Sequence, residues 1–373
     1  MLHEAMRSYY APLLILLFFG VMVLVDKLFS QKIKRLFLLE IFLQLLLMAV
    51  TSLDQYFSAL GDAGMAWRLR SITTCLNFVI GPCSPMIMVL IYDTGVSGKM
   101  SKMFYLPQVI NAVLSVLSLW NGWIFSVNSS NLYKRGPLFP TSLTVGFFYL
   151  LILIVFSAKQ QNKPNRRAET TFLTAAFLGI GSAVGLELFC DLNFMIWNVS
   201  SVCVVLYYLL LTTQKILYDS MTGTYSRVAY EKQMEKLNYK HPCTIAMIDL
   251  NNLKQINDWN GHSSGDAAIC SVTAAVIKHK FRHMKLYRYG GDEFVLVSSR
   301  ICEEEMHRVL KAAQKYCGKM SQLPVSFSYG ISVHRHGDDI YKAITLADEI
   351  MYRNKAILRD GEAAELTDMP QKR

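Results

Sequence analysis

Up to about residue 212 the chain is a succession of long apolar runs separated by short polar loops. Beyond that point the runs shorten and alternate with polar residues. A helix that crosses a bilayer needs about 20 mostly apolar residues. Seven stretches approach that length, at residues 10–25, 36–53, 71–92, 104–127, 142–158, 171–190 and 194–212. The third contains Gly81, Pro82 and Pro85, which predict a kink whose freed backbone groups neighbouring helices can satisfy. Residues 1–212 therefore read as an integral membrane domain of about seven transmembrane helices, and 213–218 as a short linker continuing the last of them.

In the second half, residues 225–237 have helical spacing. Residues 244–250 (TIAMIDL) are an apolar run ending in an acid, which reads as a buried strand. Residues 251–260 and 264–280 predict helices, and 285–289 and 293–298 predict strands joined through Gly290, Gly291 and Asp292. Two glycines between such runs predict a tight hairpin with positive φ. Residues 303–320 predict a helix, 325–334 a strand and 338–358 a long helix. The order αβααββαβα suits an α+β sandwich, with helices covering an antiparallel-dominated sheet.

Charge adds an orientation. The net charge is +10, a balance that fits nucleic acid or an anionic membrane surface. Much of it lies in the short loops between apolar runs, so the bilayer is the expected partner and nucleic acid is not. The loops after the first, third and fifth spans carry ten Lys and Arg, the opposite side five. Basic loops stay inside, which places the N-terminus outside and everything after the seventh span in the cytoplasm. The first run is followed by Asp26 and Lys27 without a small-residue cleavage site, so it reads as a retained anchor. Eight scattered cysteines, with no CxxC pair and no zinc spacing, read as packing residues in a reducing compartment. Glu40, Gln44, Asn77, Asn111 and Glu187 fall inside spans, where a polar group either lines a ligand or proton site or hydrogen-bonds another helix.

Candidate chemistry gathers in the second half. Asp249 ends one strand; Asp292 and Glu293 sit at the hairpin. If those strands are neighbours, three carboxylates converge on one sheet edge, where hard oxygens suit Mg²⁺ beside phosphates. The same acids also fit ordinary solvated turns. Taken alone, Asn257 and Asp266 read as helix caps, and Lys254, Lys355 and Arg359 as solvated helix faces.

Residues 288–294 read RYGGDEF, which resembles the signature of the GGDEF family of diguanylate cyclases. The resemblance spans about residues 219–359. Residues 219–227 (DSMTGTYSR) resemble the family's opening DxLTGLxNR, and 249–266 (DLNNLKQINDWNGHSSGD) its DIDxFKxINDxxGHxxGD. Ser328, Tyr329 and Gly330 resemble its SxG strand, and 347–359 (ADEIMYRNKAILR) its ADxAxYxAKxxGR. The resemblance implies a nucleotide-cyclase-like sandwich over 219–362, with 363–373 as a polar tail. It implies two Mg²⁺ (or Mn²⁺) ions held by Asp249, the carbonyl of Leu250, Asp292 and Glu293, and catalysis through Asp292 and Glu293. It also implies GTP held by Asn257, His262, Asp266, Lys254, Gly290, Gly291, Lys355 and Arg359. Two such domains face each other, so a homodimer is expected, in a bacterial membrane and under control of an unknown small-molecule or membrane signal.

The chain departs from the family at several places. Phe281 and Met284 stand where many relatives have the RxxD product site, so feedback inhibition there is not expected. Asn251 replaces the second acid of DxD, Ser226 an asparagine, and Leu358 a glycine. The competing reading is a catalytically silent GGDEF-like receptor, but Asp249, Asp292 and Glu293 are all present.

Overall fold

The computed structural model describes residues 2–61, 64–96, 101–159, 166–190, 195–238, 241–320 and 325–367, with side chains for 10–61, 64–94, 101–159, 167–190, 195–238, 241–317 and 325–358. Two units emerge, Met1–Thr212 and Thr213–Arg373.

The first unit contains helices α1 (Leu2–Val25), α2 (Gln31–Ala59), α3 (Ala66–Ile80), α4 (Cys83–Val96) and α5 (Leu106–Asn121). A hairpin of β1 (Phe125–Val127) and β2 (Tyr133–Arg135) follows, then α6 (Thr141–Lys159), α7 (Arg166–Phe189) and α8 (Met195–Leu217). Among the described residues six helices are long and apolar enough to cross a membrane, with α3 and α4 together forming Ala66–Thr94. The expected first span corresponds to a shorter apolar stretch among the described residues, Tyr10–Val25 of α1. The break between α3 and α4 falls at Gly81–Pro82, because a proline cannot donate the next helical hydrogen bond.

The fourth expected span is corrected at its end. Its expected range is 104–127, whereas α5 stops at Asn121 and residues 125–127 pair with 133–135. Gly122 adopts φ 69°, a left-handed cap that glycine reaches without a Cβ clash. Ser118 Oγ then accepts from the backbone N–H groups of Ile124 and Phe125 and turns the chain back.

All five polar residues predicted inside spans hydrogen-bond to another helix or its flank. Glu40 Oε1 accepts from Ser84 Oγ on α4 at 2.5 Å, and from Gln44 within α2. Gln44 also reaches Ser200 and Ser201 on α8. Asn77 accepts from Thr51, Asn111 donates to the Phe78 carbonyl, and Glu187 accepts from the N–H of Ile196. Asn77, Ser84, Glu187 and Ser200 also line a cavity of 350 Å³ whose other walls are mainly apolar, including Phe147 and Trp197.

The second unit continues with α9 (Arg227–Leu237), β3 (Cys243–Leu250), α10 (Leu253–Asn260), α11 (His262–His279), β4 (Met284–Arg288), β5 (Glu293–Ser298), α12 (Glu303–Met320), β6 (Phe327–His334) and α13 (Ile340–Thr367). The sheet order is β4-β5-β3-β6, with every ladder antiparallel and one isolated parallel bridge, Tyr225 to Tyr287. Side chains alternate across a strand, so β3 serves two cores. Ala246, Ile248 and Leu250 pack with Ile269, Val276 and Leu310 of α11 and α12. Cys243, Ile245 and Met247 pack with Met234 and Met351 of α9 and α13. Each fully buried aliphatic side chain contributes about 1.5–3 kcal/mol to this sandwich.

Candidate active site

The alternation that builds the two cores also aims the acids. Asp249 follows Cys243, Ile245 and Met247 on the α13 face of β3. Glu293 is its register partner on β5, so both carboxylates leave the sheet on the same side. Leu250 turns its side chain into the opposite core and leaves its carbonyl at the edge, while its N–H donates to the Asp292 carbonyl at 3.3 Å. On α13, Lys355 donates from Nζ to Asp249 Oδ1 and lies 3.5 Å from the Leu250 carbonyl. The structure thus brings Asp249, Leu250, Asp292, Glu293 and Lys355 together.

Charge is crowded here. Burial, followed by the carboxylates of Asp292 and Asp348, raises the Asp249 carboxyl above its ordinary range despite the Lys355 ammonium. Burial, and then Asp249, Asp292 and Asp348, raise Glu293 likewise. Asp348 was not singled out from the sequence. Its signal was available, because it lies two helical turns before Lys355 and so on the same face of α13.

Helix α13 comes close to β6 at Gly330, which has no side chain in its way. A Cβ on Gly330 would stand 2.1 Å from the Ala347 carbonyl oxygen and 2.3 Å from the Met351 nitrogen. Asn354 Nδ2 donates to the Tyr329 carbonyl at 2.8 Å and fixes the same contact.

The hairpin is not the tight turn expected. Neither Gly290 nor Gly291 has positive φ. Arg288 pairs with Phe294, and the N–H groups of Tyr289 and Gly290 both donate to the Glu293 carbonyl, so the loop is wide enough for ordinary backbone angles. What Gly290 provides is room, since a Cβ there would lie 2.6 Å from Glu293 Oε2; around Gly291 the space is open. Arg288 braces this loop by donating twice to the Gly291 carbonyl, and it forms an ion pair with Asp219 at 3.0 Å. Burial alone would raise Asp219, but hydrogen bonds from Thr222 and Arg288 outweigh it and hold the carboxyl below its ordinary range.

A carboxyl lowered in the fold adds stability above its unfolded value, and that stability is lost as pH falls through the folded value. Wild type is therefore expected to exceed Asp219→Asn by about 1–2 kcal/mol near neutral pH. The gap should close as the medium is acidified through and below the ordinary carboxylate range. Thermal unfolding of both full-length chains across that range checks this, and a gap independent of pH contradicts it.

The remaining expected nucleotide contacts lie on the α10–α11 pair. Neither Asn257 nor Asp266 is an N-cap: Asn252 and Gly261 hold those positions. Asn257 is half-buried, and Gly265 makes room for it, since a Cβ there would fall 2.0 Å from Asn257 Oδ1. Lys254, His262 and Asp266 are exposed. The Arg359 side chain lies outside the described residues. Among the departures, Asn251 donates to Ser326 Oγ and accepts from Ser328 Oγ. Ser226 caps α9 through Ala229, and its hydroxyl and N–H donate to the Ile216 and Leu217 carbonyls at the end of α8.

Residues 216–360 match the family model described as "Diguanylate cyclase, GGDEF domain". The second unit is thus similar to a GGDEF domain over these residues. The probable diguanylate cyclase DgcJ of Escherichia coli (strain K12) is 35% identical over 147 residues, covering 37% of this chain and 29% of that protein. Diguanylate cyclase VdcA of Vibrio cholerae is 29% identical over 154 residues, covering 39% and 45%. The chain thus spans less than half the length of these two relatives, and the likeness is confined to the GGDEF domain. A solved microbial GGDEF domain with cyclic di-GMP aligns at 26% identity and a TM-score of 0.34, covering 38% of this chain and 93% of that one.

Proposed function

We propose that the chain is a membrane-bound diguanylate cyclase, condensing two GTP into cyclic di-GMP and two pyrophosphate. The observation that carries this reading is the register pair Asp249–Glu293, with Asp292 and Lys355 beside it, at one edge of a GGDEF domain. The family match and the names of the relatives support it.

The donor set fits a hard divalent cation. Asp249, Asp292, Glu293 and the Leu250 carbonyl offer only oxygens, and the Lys355 ammonium already touches both Asp249 and Leu250, which marks that corner as cation-attracting. One or two Mg²⁺ or Mn²⁺ held there would offset charge on the triphosphate and on the attacking and leaving oxygens. In the reaction the 3′-oxygen of one GTP bonds to the α-phosphorus of the other, the bond to pyrophosphate breaks, and the 3′-hydroxyl proton leaves. Glu293, beside Asp249 and Asp292 at the strand edge, would bind the second cation or help to take up that proton. Lys254, Lys355 and Arg359 hold phosphates, Gly290 and Gly291 let the backbone approach them, and Asn257, His262 and Asp266 hold the guanine. Each domain supplies half of the reaction, so the active form is a homodimer with a two-fold axis.

Six apolar helices with a shorter seventh would anchor the chain in the cell membrane, with the N-terminus outside and the GGDEF domain in the cytoplasm. The cavity in the first unit would receive the controlling signal, an apolar small molecule with a hydrogen-bonding end that meets Ser84 and Ser200. With Phe281 and Met284 in place of RxxD, product feedback through that site is not expected.

Full-length protein in nanodiscs, supplied with GTP and Mg²⁺, should release cyclic di-GMP and pyrophosphate. GTP bound without turnover, with or without enforced dimerisation, would replace the enzyme by the silent receptor.

A further inference from the structure

Opposite the GGDEF loop, at the far end of the β4–β5 hairpin, His283, Cys302 and Glu305 turn one ligand atom each toward a common point, all within 4.8 Å of one another. They come from three places: the loop before β4, the residue before α12, and the first turn of α12. We propose that they form a binding site for a borderline-soft divalent cation, Zn²⁺ above all, with an open fourth position for water.

The donor chemistry selects the metal. An imidazole nitrogen, a thiolate and a carboxylate oxygen are the three ligand types of zinc, whereas Mg²⁺ and Ca²⁺ take oxygens. Ligand atoms of a tetrahedral zinc site stand about 3.5 Å apart, so small side-chain rotations close the cluster. His283 Nε2 is buried and faces Glu305 Oε2 at 3.3 Å, an ion-pair contact outside hydrogen-bond geometry, and Arg300 reaches the same oxygen at 3.4 Å. A cation bound between the ring nitrogen and the carboxylate would replace these long contacts with ligand bonds.

The supports are in place. The Cys302 N–H donates to Thr244 Oγ1 at 2.9 Å, which holds the residue against the end of β3. Cys302 Sγ lies 2.9 Å from Ser298 Oγ. On metal binding the thiol proton passes to solvent and the Ser298 hydroxyl is placed to donate to the thiolate, the outer-shell contact that orients a metal ligand. The Ser299 N–H donates to the His283 carbonyl, and the Phe281 ring stacks on the imidazole at 5.7 Å. Phe281 and Met284, the residues that displace RxxD, therefore flank His283. All three ligand residues are partly exposed, so a cation has a path in.

The test uses metal-free full-length protein in detergent, with saturating Mg²⁺ to occupy the oxygen cluster, titrated with Co²⁺. A thiolate-to-cobalt band in the near ultraviolet and visible bands of four-coordinate cobalt are expected at one equivalent, and Zn²⁺ should bleach them. Cys302→Ser should abolish the ultraviolet band, and His283→Ala or Glu305→Gln should weaken Co²⁺ binding by at least about tenfold. No band in the wild type, or an unchanged band in Cys302→Ser, overturns the site. Because a variant can fail by misfolding, the wild type is also alkylated with iodoacetamide. Zn²⁺ should slow modification of Cys302 by about tenfold or more and leave Cys270 unchanged; equal rates at Cys302 with and without Zn²⁺ overturn the proposal as well.

Discussion

Asp249→Asn is expected to lower cyclic di-GMP formation about a thousandfold while the chain stays folded. Asp249 is the one acid that meets every other element of the site: Glu293 by strand register, Lys355 by direct contact, and Asp292 and Asp348 through their charge. Metal-based stabilisation of a transition state amounts to several kcal/mol, and about 4 kcal/mol is about a thousandfold in rate. The fold should tolerate the change, because a carboxyl raised above its ordinary range is already disfavoured as an anion and asparagine keeps its shape. Asp348→Asn is the companion measurement. Asp348 is exposed and acts only through its charge, so a change of a few-fold is expected. Cyclic di-GMP formed by Asp249→Asn within tenfold of wild type would remove this carboxylate from the mechanism.

Gly330→Ala should be the most damaging substitution for the second unit's stability. The new Cβ would lie 2.1 Å and 2.3 Å from backbone atoms of α13 and 2.8 Å from the Ile350 Cβ, and a helix backbone cannot rotate aside as a side chain can. Overpacking costs about 1–3 kcal/mol where side chains can adjust; against backbone the upper end or beyond is expected. Either α13 lifts from β6, which carries Lys355 away from Asp249, or the unit unfolds. Hydrogen exchange should show lost protection across residues 327–334 and 340–358. Gly291→Ala is the control for stability, since nothing lies within 4 Å of its Cβ position and its φ is not positive. Equal protection in Gly330→Ala and wild type would show that the contact yields cheaply.

Much of the second unit was legible because strand and helix periods are distinct. TIAMIDL alternates between two cores, and that alternation carries Asp249 to the α13 face before any coordinate is known. Features that depend on pairing were harder. Two glycines suggested positive φ, but only the Arg288–Phe294 pair shows that the loop is wide. In the first unit, hydropathy alone ran past Gly122, because Ile124, Phe125 and Val127 are as apolar in a hairpin as in a span. The His283, Cys302 and Glu305 cluster was hard to read, since Cys302 and Glu305 lie three residues apart while His283 joins them from another segment, the loop before β4. Asn251 looked like a weakened acid and is instead a donor and acceptor between two serines.

The four carboxylates around Lys355 have a consequence for what the site admits. Asp249, Asp292, Glu293 and Asp348 act on one another through their charge, and among the described residues Lys355 is the cation that contacts Asp249 and acts on Glu293. A bare triphosphate is itself polyanionic, and one like-charge pair about 6 Å apart costs on the order of 3 kcal/mol at an effective dielectric of 20. On the proposed reading the site would act as an electrostatic filter, excluding free nucleotide and admitting nucleotide already neutralised by a cation. Apparent affinity for GTP should then climb with free Mg²⁺ and nearly vanish in chelator, so that the supply of cation, as much as of nucleotide, determines when the domain is loaded.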